Sequence, residues 1–314
     1  MIIIAGATGF IGFALAEGFA NAGEDVVCVC PDDRQGAARL PSHPAVRPLS
    51  LPHDRAGQWA ESFAGLSPAA VINAAGAGVR PDQRDPRTLV QGNETYPCQL
   101  MTAVAASRPA VFIHLGSWLE YAAPQDRQPV GEDALLTSRN SYGKSKLAGA
   151  AALRTLADQL DVPFAILRLF HVFGPGEPSR RLTPYLINNL RRSSAVKLSS
   201  HNKVRDMVYI EDVVAAVRAA VGLGSKLAAH GTYNICSGIP VSIGGFARTV
   251  AELLDRSPDL LEFGATADRD DEPFWMVGDP GRFHAATGWA PSFSLEQALA
   301  ATISEFSGAA ADQR

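Results

Sequence analysis

Short apolar, β-branched segments alternate along the chain with longer segments whose apolar residues recur at helical spacing. The apolar segments predict strands at residues 2–5, 25–30, 46–49, 70–73, 111–115 and 164–169. The intervening segments predict helices at residues 10–22, 56–63, 87–107 and 141–159. Regular alternation of strand and helix requires right-handed crossover connections, which produce a doubly wound parallel α/β sheet. Ligands of such sheets bind beyond the carboxyl ends of the strands.

The pattern changes after Gly174-Pro-Gly176, where the segments become shorter, richer in proline and more irregular. Here the sequence predicts a strand at 232–235 and helices at 243–254 and 295–306. We interpret residues 1–173 as the domain of the parallel sheet. Residues 174–307 are predicted to form a smaller mixed α/β lobe, from which some segments return to the first domain. Residues 308–314 are predicted to be a disordered tail.

Three glycines, Gly6, Gly9 and Gly12, connect the first predicted strand to the first predicted helix. Because glycine lacks a Cβ, the backbone here can approach a ligand and the helix can pack close to the strand. The N–H groups at the helix start suit a pyrophosphate, which predicts a Rossmann dinucleotide-binding domain. The alternative is a tight strand-to-helix turn that binds no ligand. The predicted cofactor contacts of this loop are Gly6, Thr8, Gly9, Phe10, Ile11 and Gly12.

Composition and charge narrow the possible functions. The 314 residues are 46% hydrophobic and 19% charged, which suffices for a large buried core. A net charge of −4 argues against a nucleic acid partner. No segment approaches the ~18 uninterrupted apolar residues of a membrane span, and the first strand lacks the features of a signal peptide. The four cysteines have no nearby histidine ligands, so they predict reduced thiols, no metal site and a cytoplasmic location.

Tyr142 and Lys146 lie four residues apart in the predicted helix 141–159, so their side chains share one helix face. A phenol titrates near ~10, and an adjacent cation lowers its pKa. Such a pair can donate and accept a proton near neutral pH, and Lys146 can also reach a cofactor ribose. The same spacing also occurs by chance on exposed helices. Ser117 follows a predicted strand, which brings a hydroxyl to the same edge of the sheet.

Taken together, these motifs resemble the extended short-chain dehydrogenase/reductase family, the NAD-dependent epimerases and dehydratases that modify nucleotide sugars. The resemblance covers nearly the whole chain, and the motifs occur in the family's order. After the glycine loop they are Ile72-Asn-Ala-Ala-Gly76, Asn93, Ser117 four residues before Tyr121, Arg168-Leu-Phe-His-Val-Phe-Gly-Pro-Gly176, Arg205-Asp-Met-Val-Tyr-Ile-Glu-Asp212, Tyr233-Asn-Ile-Cys-Ser-Gly238 and Gly288-Trp-Ala-Pro291.

The resemblance implies hydride exchange between a nicotinamide and a sugar carbon, with the C-terminal lobe binding the substrate. Tyr142 would exchange the proton of the sugar oxygen, Ser117 would hydrogen-bond that oxygen, and Lys146 would hold the ribose and lower the Tyr142 pKa. The implied further cofactor contacts are Ala74, Ala75, Asn93, Tyr142, Lys146 and Phe170. The implied substrate contacts are Ser117, Trp118, His171, Arg181, Arg205 and Arg269.

Several of these residues have a structural alternative. Arg205 and Arg269 match phosphate-binding arginines, whose guanidinium groups suit a diphosphate, but each is alternatively a surface charge or half of an ion pair. Arg181 and its neighbour Arg180 either flank the same cleft or form a solvated pair. Trp118 either stacks on the ligand or is an ordinary core aromatic. His171, where the family usually has Asn, is either a substrate contact or a satisfied polar side chain.

The end of the second strand decides the choice of cofactor, because NAD-selective proteins carry an acidic residue there for the ribose 2′-OH. This position holds Cys30, and the carboxylates of Asp32 and Asp33 come two and three residues later. Arg34 and Arg39 follow and favour the 2′-phosphate of NADP(H), with Arg34 as the predicted contact. A contact from Asp32 or Asp33 would favour NAD(H) instead.

One departure from the family pattern reduces the number of reactions that the chain could catalyse. Dehydratases follow the catalytic Ser or Thr with an Asp-Glu pair, but Ser117 is followed by Trp118 and Leu119, so a 4,6-dehydration lacks its acid and base. Residues 116–121 resemble CDP- or dTDP-linked ketosugar reductases, which predicts NAD(P)H-dependent reduction of a nucleotide-linked 4-keto-6-deoxy sugar. The alternatives are a nucleotide-sugar epimerase that recycles its cofactor and a non-catalytic cofactor-binding regulator. The family also implies a homodimer through helices 87–107 and 141–159.

Overall fold

The computed structural model describes residues 1–30, 34–51, 53–78, 83–229, 231–268 and 271–308. The strands of these ranges are β1 (Ile2–Ala5), β2 (Val26–Cys30), β3 (Val46–Ser50), β4 (Ala70–Asn73), β5 (Phe112–Ser117), β6 (Phe164–Leu169), β7 (His171–Phe173), β8 (Val196–Leu198), β9 (Val204–Tyr209), β10 (Thr232–Ile235), β11 (Pro240–Ser242), β12 (Leu261–Phe263) and β13 (Trp275–Met276). The α-helices are α1 (Phe10–Asn21), α2 (Arg34–Ala37), α3 (Trp59–Ser62), α4 (Pro86–Val90), α5 (Tyr96–Val104), α6 (Ser141–Leu160), α7 (Leu182–Arg191), α8 (Ile210–Leu223), α9 (Ile243–Leu253), α10 (Gly281–Thr287) and α11 (Leu295–Gly308).

The central layer is a parallel sheet in which seven strands of the described chain follow the order β3-β2-β1-β4-β5-β6-β10. The strand order reverses direction between β1 and β4, which is the switch point of a doubly wound fold. The prediction of a doubly wound Rossmann sheet is therefore confirmed. The pairing of β4 with β5 sets Asn73 opposite His114 at the carboxyl ends of these strands.

The sheet is buried on both faces, as the continuous apolar sequence of its inner strands requires. Along β1, Ile2 and Ile4 pack into the core on one face, whereas Ile3 and Ala5 pack on the other. Helices α1 and α8 cover the first face, and α3, α5 and α6 cover the second. With both faces covered, the carboxyl ends of the strands are the edge at which a ligand can bind.

Most predicted elements agree with the structure to within one or two residues at each end, and the larger differences are in two helices and one strand. The predicted helix 87–107 is a succession of α4, a π-helical turn at Gln91–Thr95, α5 and a 3-10 turn at Ala105–Ser107. Pro97 has no N–H for the carbonyl of residue 93, which accounts for the widened turn. The predicted helix 56–63 is instead a 3-10 turn at His53–Gln58 followed by α3. Strand β5 extends beyond residue 115 and ends at Ser117.

The chain after Gly174 contributes both to the main sheet and to a separate smaller assembly. Strand β10 pairs with β6 at the sheet edge, and α8 packs against α1. The smaller assembly contains β9 with β7, β11 and β13, and the pair β8 and β12. The sequence analysis did not predict α8, whose N-cap residue Tyr209 makes no side-chain cap hydrogen bond, although Glu211 and Asp212 lie in its first turn.

The end of the described chain is helical. Helix α11 packs against α9 and is described as far as Gly308. Residues 309–314 lie outside the described residues, so the disordered tail stays a prediction. Among the described helices, none has the length and apolar character that crossing a membrane requires. All four cysteines are free thiols, and three of them are buried.

Candidate functional site

The glycine loop forms a turn that a side chain would disrupt. A Cβ on Gly12 would lie 2.1 Å from the carbonyl oxygen of Gly6. A Cβ on Gly6, whose φ is +84°, would lie 2.5 Å from the backbone nitrogen of Ala75. Gly9 is the N-cap of α1 and provides no side-chain cap, so the first N–H groups of the helix have no capping partner. This cradle fits the diphosphate of a dinucleotide.

The structure brings most of the other predicted cofactor residues to this loop. Thr8, Phe10 and Ile11 are half-buried at the start of α1. Ala74 and Ala75 follow β4 and lie against Gly6, so the two cofactor segments predicted from separate motifs are adjacent.

Phe170 and Asn93 are less accessible than their predicted cofactor contacts suggest. The Phe170 side chain is 3% exposed and packs against Gly278 in the core. The Asn93 amide donates to the carbonyl of Ala77 and the hydroxyl of Ser145, and its oxygen accepts from Ala77 N. Both N–H groups of the amide are therefore engaged, and Asn93 fastens α6 to the cofactor segment. Direct contact of either residue with the cofactor stays a prediction.

The structure describes only some of the residues that are predicted to determine the preference for NAD or NADP. Cys30 is buried at the end of β2, and Arg39 is exposed. Asp32, Asp33 and the side chain of Arg34 lie outside the described residues. Cofactor preference therefore stays a prediction.

Ser117 and Tyr142 meet at the carboxyl edge of the sheet. Ser117 is the last residue of β5, and its hydroxyl accepts a hydrogen bond of 3.2 Å from Leu119 N. Tyr142 lies in the first turn of α6, which is capped by Asn140 through its Oδ1. A Cβ on Gly143 would lie 2.2 Å from the carbonyl oxygen of Leu119, so this glycine allows α6 to approach the turn after Ser117. The proximity of a serine hydroxyl and a phenol predicted from the motifs is present.

The expected lowering of the Tyr142 pKa is wrong for this structure. Burial and the charge of Glu120 raise the pKa of Tyr142 to about 12, with the charge of Arg181 and a hydrogen bond with the Ser117 hydroxyl opposing the shift. The Tyr142 phenol therefore keeps its proton at neutral pH. The cation that acts on it is Arg181, on the loop before α7, and Lys146 is engaged elsewhere.

Lys146 points into the interior below the sheet edge. Its Nζ donates a 2.7 Å hydrogen bond to the carbonyl oxygen of Leu115 and lies 3.1 Å from Nε2 of His114. Burial lowers the pKa of Lys146 to about 8, with Glu120 opposing the shift. His114 is buried, and the Nδ2 atom of Asn73 lies 2.9 Å from its other ring nitrogen. Burial and the charge of Lys146 hold the His114 pKa well below its ordinary value.

Glu120 places a buried carboxylate next to these residues. Its Oε1 accepts a 2.8 Å hydrogen bond from Ser117 N, and its Oε2 forms an ion pair of 2.7 Å with Nε of Arg168. The Glu120 carboxylate therefore fixes the position of the Ser117 backbone. Its charge also reaches Tyr142 and Lys146.

Trp118, in the turn after β5, and Arg205, on β9, lie against each other. Trp118 is 8% exposed, and Cζ of Arg205 lies 5.4 Å from the centre of its ring. Arg205 is buried, donates to the carbonyl of Val204 and contacts Glu272 at 3.3 Å. Arg205 therefore forms an ion pair, and Trp118 is a buried aromatic side chain, as the structural alternatives for these two residues predicted. Substrate contact stays a prediction, and Arg269 lies outside the described residues.

His171 and Arg181 also reach this region. Burial and the charges of Arg181 and Arg205 lower the pKa of His171 to about 3, so its imidazole is neutral. Arg181 donates to the carbonyl of Val172, and its Nε lies 2.9 Å from Oε1 of Glu177. Arg180 is exposed, as the solvated alternative requires, whereas Arg181 is half-buried and paired with Glu177.

Sequence reasoning assigned no role to three residues that the structure brings into the site, Asn73, His114 and Glu120. Asn73 and Glu120 lie in the quoted segments 72–76 and 116–121, and His114 lies in the predicted strand 111–115. His114 and Glu120 are polar residues among apolar neighbours. A polar side chain within an apolar segment was the signal that could have indicated these residues. The sequence does not show their hydrogen-bond partners, which lie on other strands and helices.

The comparisons with known proteins give the family. The model of the NAD dependent epimerase/dehydratase family matches residues 2–236. The chain belongs to this family, and the predicted membership is confirmed. It is an NAD(P)-dependent enzyme of the extended short-chain dehydrogenase/reductase type.

Relatives with assigned names include enzymes of nucleotide-linked deoxy sugars. CDP-abequose synthase from Salmonella typhimurium is 29% identical over 145 residues, 46% of this chain and 48% of that protein. The match thus spans about half the length of that relative. GDP-6-deoxy-D-mannose reductase from Pseudomonas aeruginosa is 24% identical over 248 residues, 76% of this chain and 80% of that protein.

The fold is also similar to that of solved structures. UDP-glucuronic acid 4-epimerase from Bacillus cereus, solved with UDP-glucuronic acid and NAD, gives a TM-score of 0.86 at 21% identity. The alignment covers 98% of this chain and 99% of that chain. At this identity the likeness establishes a shared fold.

Proposed function

We propose that the chain catalyses the NAD(P)H-dependent reduction of the keto group of a nucleotide-linked 4-keto-6-deoxy sugar of the CDP or dTDP type. The observation that carries this proposal is a proton-bearing Tyr142 beside Ser117, at the sheet edge that also holds the glycine loop. The bound nicotinamide supplies the hydride in this reaction. The chain has to orient the ketone and give one proton to its oxygen.

Tyr142 is the proposed proton donor. As the carbonyl carbon gains a hydride, the oxygen becomes negative, and the phenol proton passes to it and leaves a phenolate. The Ser117 oxygen accepts from Leu119 N, and the Ser117 hydroxyl also hydrogen-bonds the Tyr142 phenol. The serine hydroxyl is proposed to donate to the same sugar oxygen once the substrate is bound. Lys146 is proposed to hold the nicotinamide ribose from the other side of Tyr142.

The substrate class is supported by the residues after Ser117 and by the relatives. Trp118 and Leu119 occupy the positions where a dehydratase would have its acid and base, so simple reduction suits the site better than dehydration. CDP-abequose synthase and GDP-6-deoxy-D-mannose reductase are named for nucleotide-linked sugars, and the second is named as a reductase.

The substrate diphosphate is proposed to bind near Arg205 and Arg181, with Arg269 as a further contact. Burial and the charges of Arg181 and Arg205 lower the pKa of His171 and leave its ring neutral. Two guanidinium groups around an uncharged imidazole make this region suitable for an anion. Trp118 forms the apolar wall next to Arg205.

We propose NADP(H) as the preferred cofactor, because Arg34 and Arg39 follow Cys30 at the end of β2. A carboxylate at that position would favour NAD(H). The test is the KM for NADPH and NADH in wild type and in Arg34→Ala. A selective rise in the KM for NADPH supports the proposal, and equal effects on both cofactors would contradict it.

We also propose a homodimer through helices 87–107 and 141–159, and a reducing, cytoplasmic location. Ala148, Ala151 and Ala152 are exposed on α6, where small side chains allow another helix to approach closely. The free thiols suit a reducing compartment. Light scattering should give twice the chain mass, and Ala151→Arg should reduce it to one chain. A wild-type monomer would overturn the dimer.

The decisive experiment offers the purified protein CDP- and dTDP-linked 4-keto-6-deoxy sugars with NADPH or NADH. We expect stoichiometric cofactor oxidation and a reduced sugar identified by NMR. Interconversion of sugars without net cofactor consumption would show the epimerase alternative. Cofactor binding without turnover on any substrate of this panel would favour the non-catalytic alternative.

A further inference from the structure

Residues 271–279 of the C-terminal lobe contact both β9 and the connection that leads from β5 into α6. Strand β13, within this segment, pairs with β9, and Glu272 contacts Arg205 of β9 at 3.3 Å. Val130, in the connection before α6, donates a 2.8 Å hydrogen bond from its backbone nitrogen to the carbonyl of Val277. One short segment therefore touches the arginine proposed for the substrate diphosphate and the chain that precedes α6.

Asp271 in this segment reaches the first turn of α6 through Asn140. Nδ2 of Asn140 donates a hydrogen bond to Oδ2 of Asp271. Oδ1 of Asn140 accepts from Tyr142 N at 2.9 Å and from Gly143 N at 3.3 Å. Asn140 is 5% exposed. One buried amide therefore caps α6 with its oxygen and binds the carboxylate of Asp271 with its nitrogen.

The carboxylate of Asp271 determines which way the Asn140 amide faces. A flipped amide would turn its NH₂ group toward Tyr142 N and Gly143 N, which are donors themselves, and would turn its oxygen toward the carboxylate. An ionised carboxylate only accepts, and its bond with an N–H group is stronger than a neutral one. The backbone position of Tyr142 therefore depends on a residue that lies 131 positions from its cap in the sequence.

The Tyr142 ring has little room to compensate for a displaced backbone. A Cβ on Gly78 would lie 2.9 Å from Cδ2 of Tyr142 and 3.5 Å from its Cβ, so the ring packs directly against this glycine. A shift in the first turn of α6 therefore moves the phenol oxygen. A displacement of about 1 Å can cost about 10²-fold in rate.

We propose that Asp271 is a positioning residue, which acts through Asn140 to hold the first turn of α6 where the Tyr142 phenol can reach the ketone oxygen. The inference rests on the proposed role of Tyr142 as proton donor. Because Glu272 follows Asp271 and contacts Arg205, this segment also connects the position of Tyr142 to the proposed diphosphate site.

The first test removes the acceptor. Asp271→Ala should lower kcat about 10-fold and leave the Kd for NADPH within about twofold, because the cap of α6 loses its fixed orientation while the glycine loop is unchanged. The control is Asp126→Ala, which removes an exposed carboxylate from the connection before α6. A wild-type kcat in Asp271→Ala would overturn the proposal.

The second test reverses the direction of the hydrogen bond. Asn140→Asp keeps a good cap for α6 but sets two carboxylates against each other, and kcat should fall. Adding Asp271→Asn supplies an N–H group for the new carboxylate, so the double variant should recover most of kcat. A purely local cap would leave Asn140→Asp at the wild-type rate. That result, or a double variant no faster than Asn140→Asp, contradicts the proposal.

The third test needs no substrate. NMR of the cofactor-free full-length protein with ¹³C-labelled tyrosine, assigned with Tyr142→Phe, reports the surroundings of the Tyr142 ring. Its signal should move in Asp271→Ala and Asn140→Asp and return toward the wild-type position in the double variant. An unchanged signal in both single variants would overturn the role of Asp271.

The NMR result separates this proposal from the proposed reaction. If no ketosugar is reduced but the Tyr142 signal responds as expected, the proposed reaction fails and Asp271 still positions Tyr142. If ketosugar is reduced but neither the signal nor kcat responds to Asp271→Ala, the reaction stands and the positioning role fails.

Discussion

Arg168 on β6 donates a 2.7 Å hydrogen bond from Nε to Oε2 of Glu120, and neither side chain is more than 4% exposed. The same carboxylate accepts from Ser117 N. Nη1 of Arg168 also donates to the hydroxyl of Tyr121, which in turn donates to Oδ1 of Asn234 on β10. The position of Ser117 therefore depends on a polar network that joins β5, β6 and β10.

Glu120→Gln should destabilise the protein. The substitution keeps an acceptor for Ser117 N but leaves Arg168 as a buried cation without a counter-charge, which costs about 3–5 kcal/mol. Urea unfolding of both proteins measures the difference. The double variant Glu120→Gln/Arg168→Met removes both charges and should recover most of the loss. A single variant as stable as wild type would show that the ion pair is not needed.

Tyr142→Phe should fold and bind cofactor but lose about 10²–10⁴-fold in kcat, because the proposed proton donor is absent. The control is Tyr185→Phe, since the hydroxyl of Tyr185 makes only a long 3.5 Å contact to the carbonyl of Lys197. Steady-state kinetics and cofactor titration separate turnover from binding. Turnover at the wild-type rate would remove Tyr142 from the mechanism.

Gly9→Ala and Gly12→Ala should separate cofactor binding from folding. A Cβ on Gly9 would lie 3.4 Å from the carbonyl oxygen of Gly6, a contact that is tolerated, whereas a Cβ on Gly12 would lie only 2.1 Å away. Gly12→Ala should therefore lower the melting temperature. Gly9→Ala should melt like wild type and bind NAD(P) more weakly, because the added methyl obstructs the phosphate. Undiminished binding by Gly9→Ala would argue against the cradle.

His171 should make the protein less stable at acidic pH. Its pKa is about 3 in the folded chain and 6.5 without burial, so the unfolded chain binds the proton more strongly. Stability from neutral His171 is complete above pH 6.5 and is lost as the pH falls toward 3. Relative to wild type, His171→Asn should gain about 2 kcal/mol between pH 7 and 5, measured by urea unfolding. If the free energies of unfolding of the two proteins changed in parallel with pH, the lowered pKa of His171 would be contradicted.

Arg205 and Glu272 should have opposite effects on substrate binding. Arg205→Lys loses the planar guanidinium that contacts Trp118, and we expect a KM for the nucleotide sugar about 10-fold higher with little change in kcat. Glu272→Gln removes the charge that now pairs with Arg205 and should lower the KM. Exposed Glu262→Gln on β12 is the matched control. If both variants keep the wild-type KM, Arg205 is structural.

Much of the fold follows from local sequence. Strands β1, β4, β6 and β10 have the predicted bounds. For β1 and β4 the apolar run ends at Gly6 and at Asn73, which are local signals. Helix α8 and the strands of the smaller assembly were not predicted, since they are short or lack capping signals. The return of β10 to the main sheet depends on its pairing with β6, which no local pattern encodes.

The sequence by itself determined the alternating architecture, the glycine loop and the Ser117, Tyr142 and Lys146 motifs, because these depend on residue type and local spacing. Only the tertiary structure decided the electrostatics of the site. Strand order joins Asn73 to His114 across 41 residues and Arg168 to Glu120 across 48 residues. Burial then holds the proton on Tyr142, where helix spacing alone predicted a lowered pKa, because desolvation outweighs a cation that is engaged elsewhere.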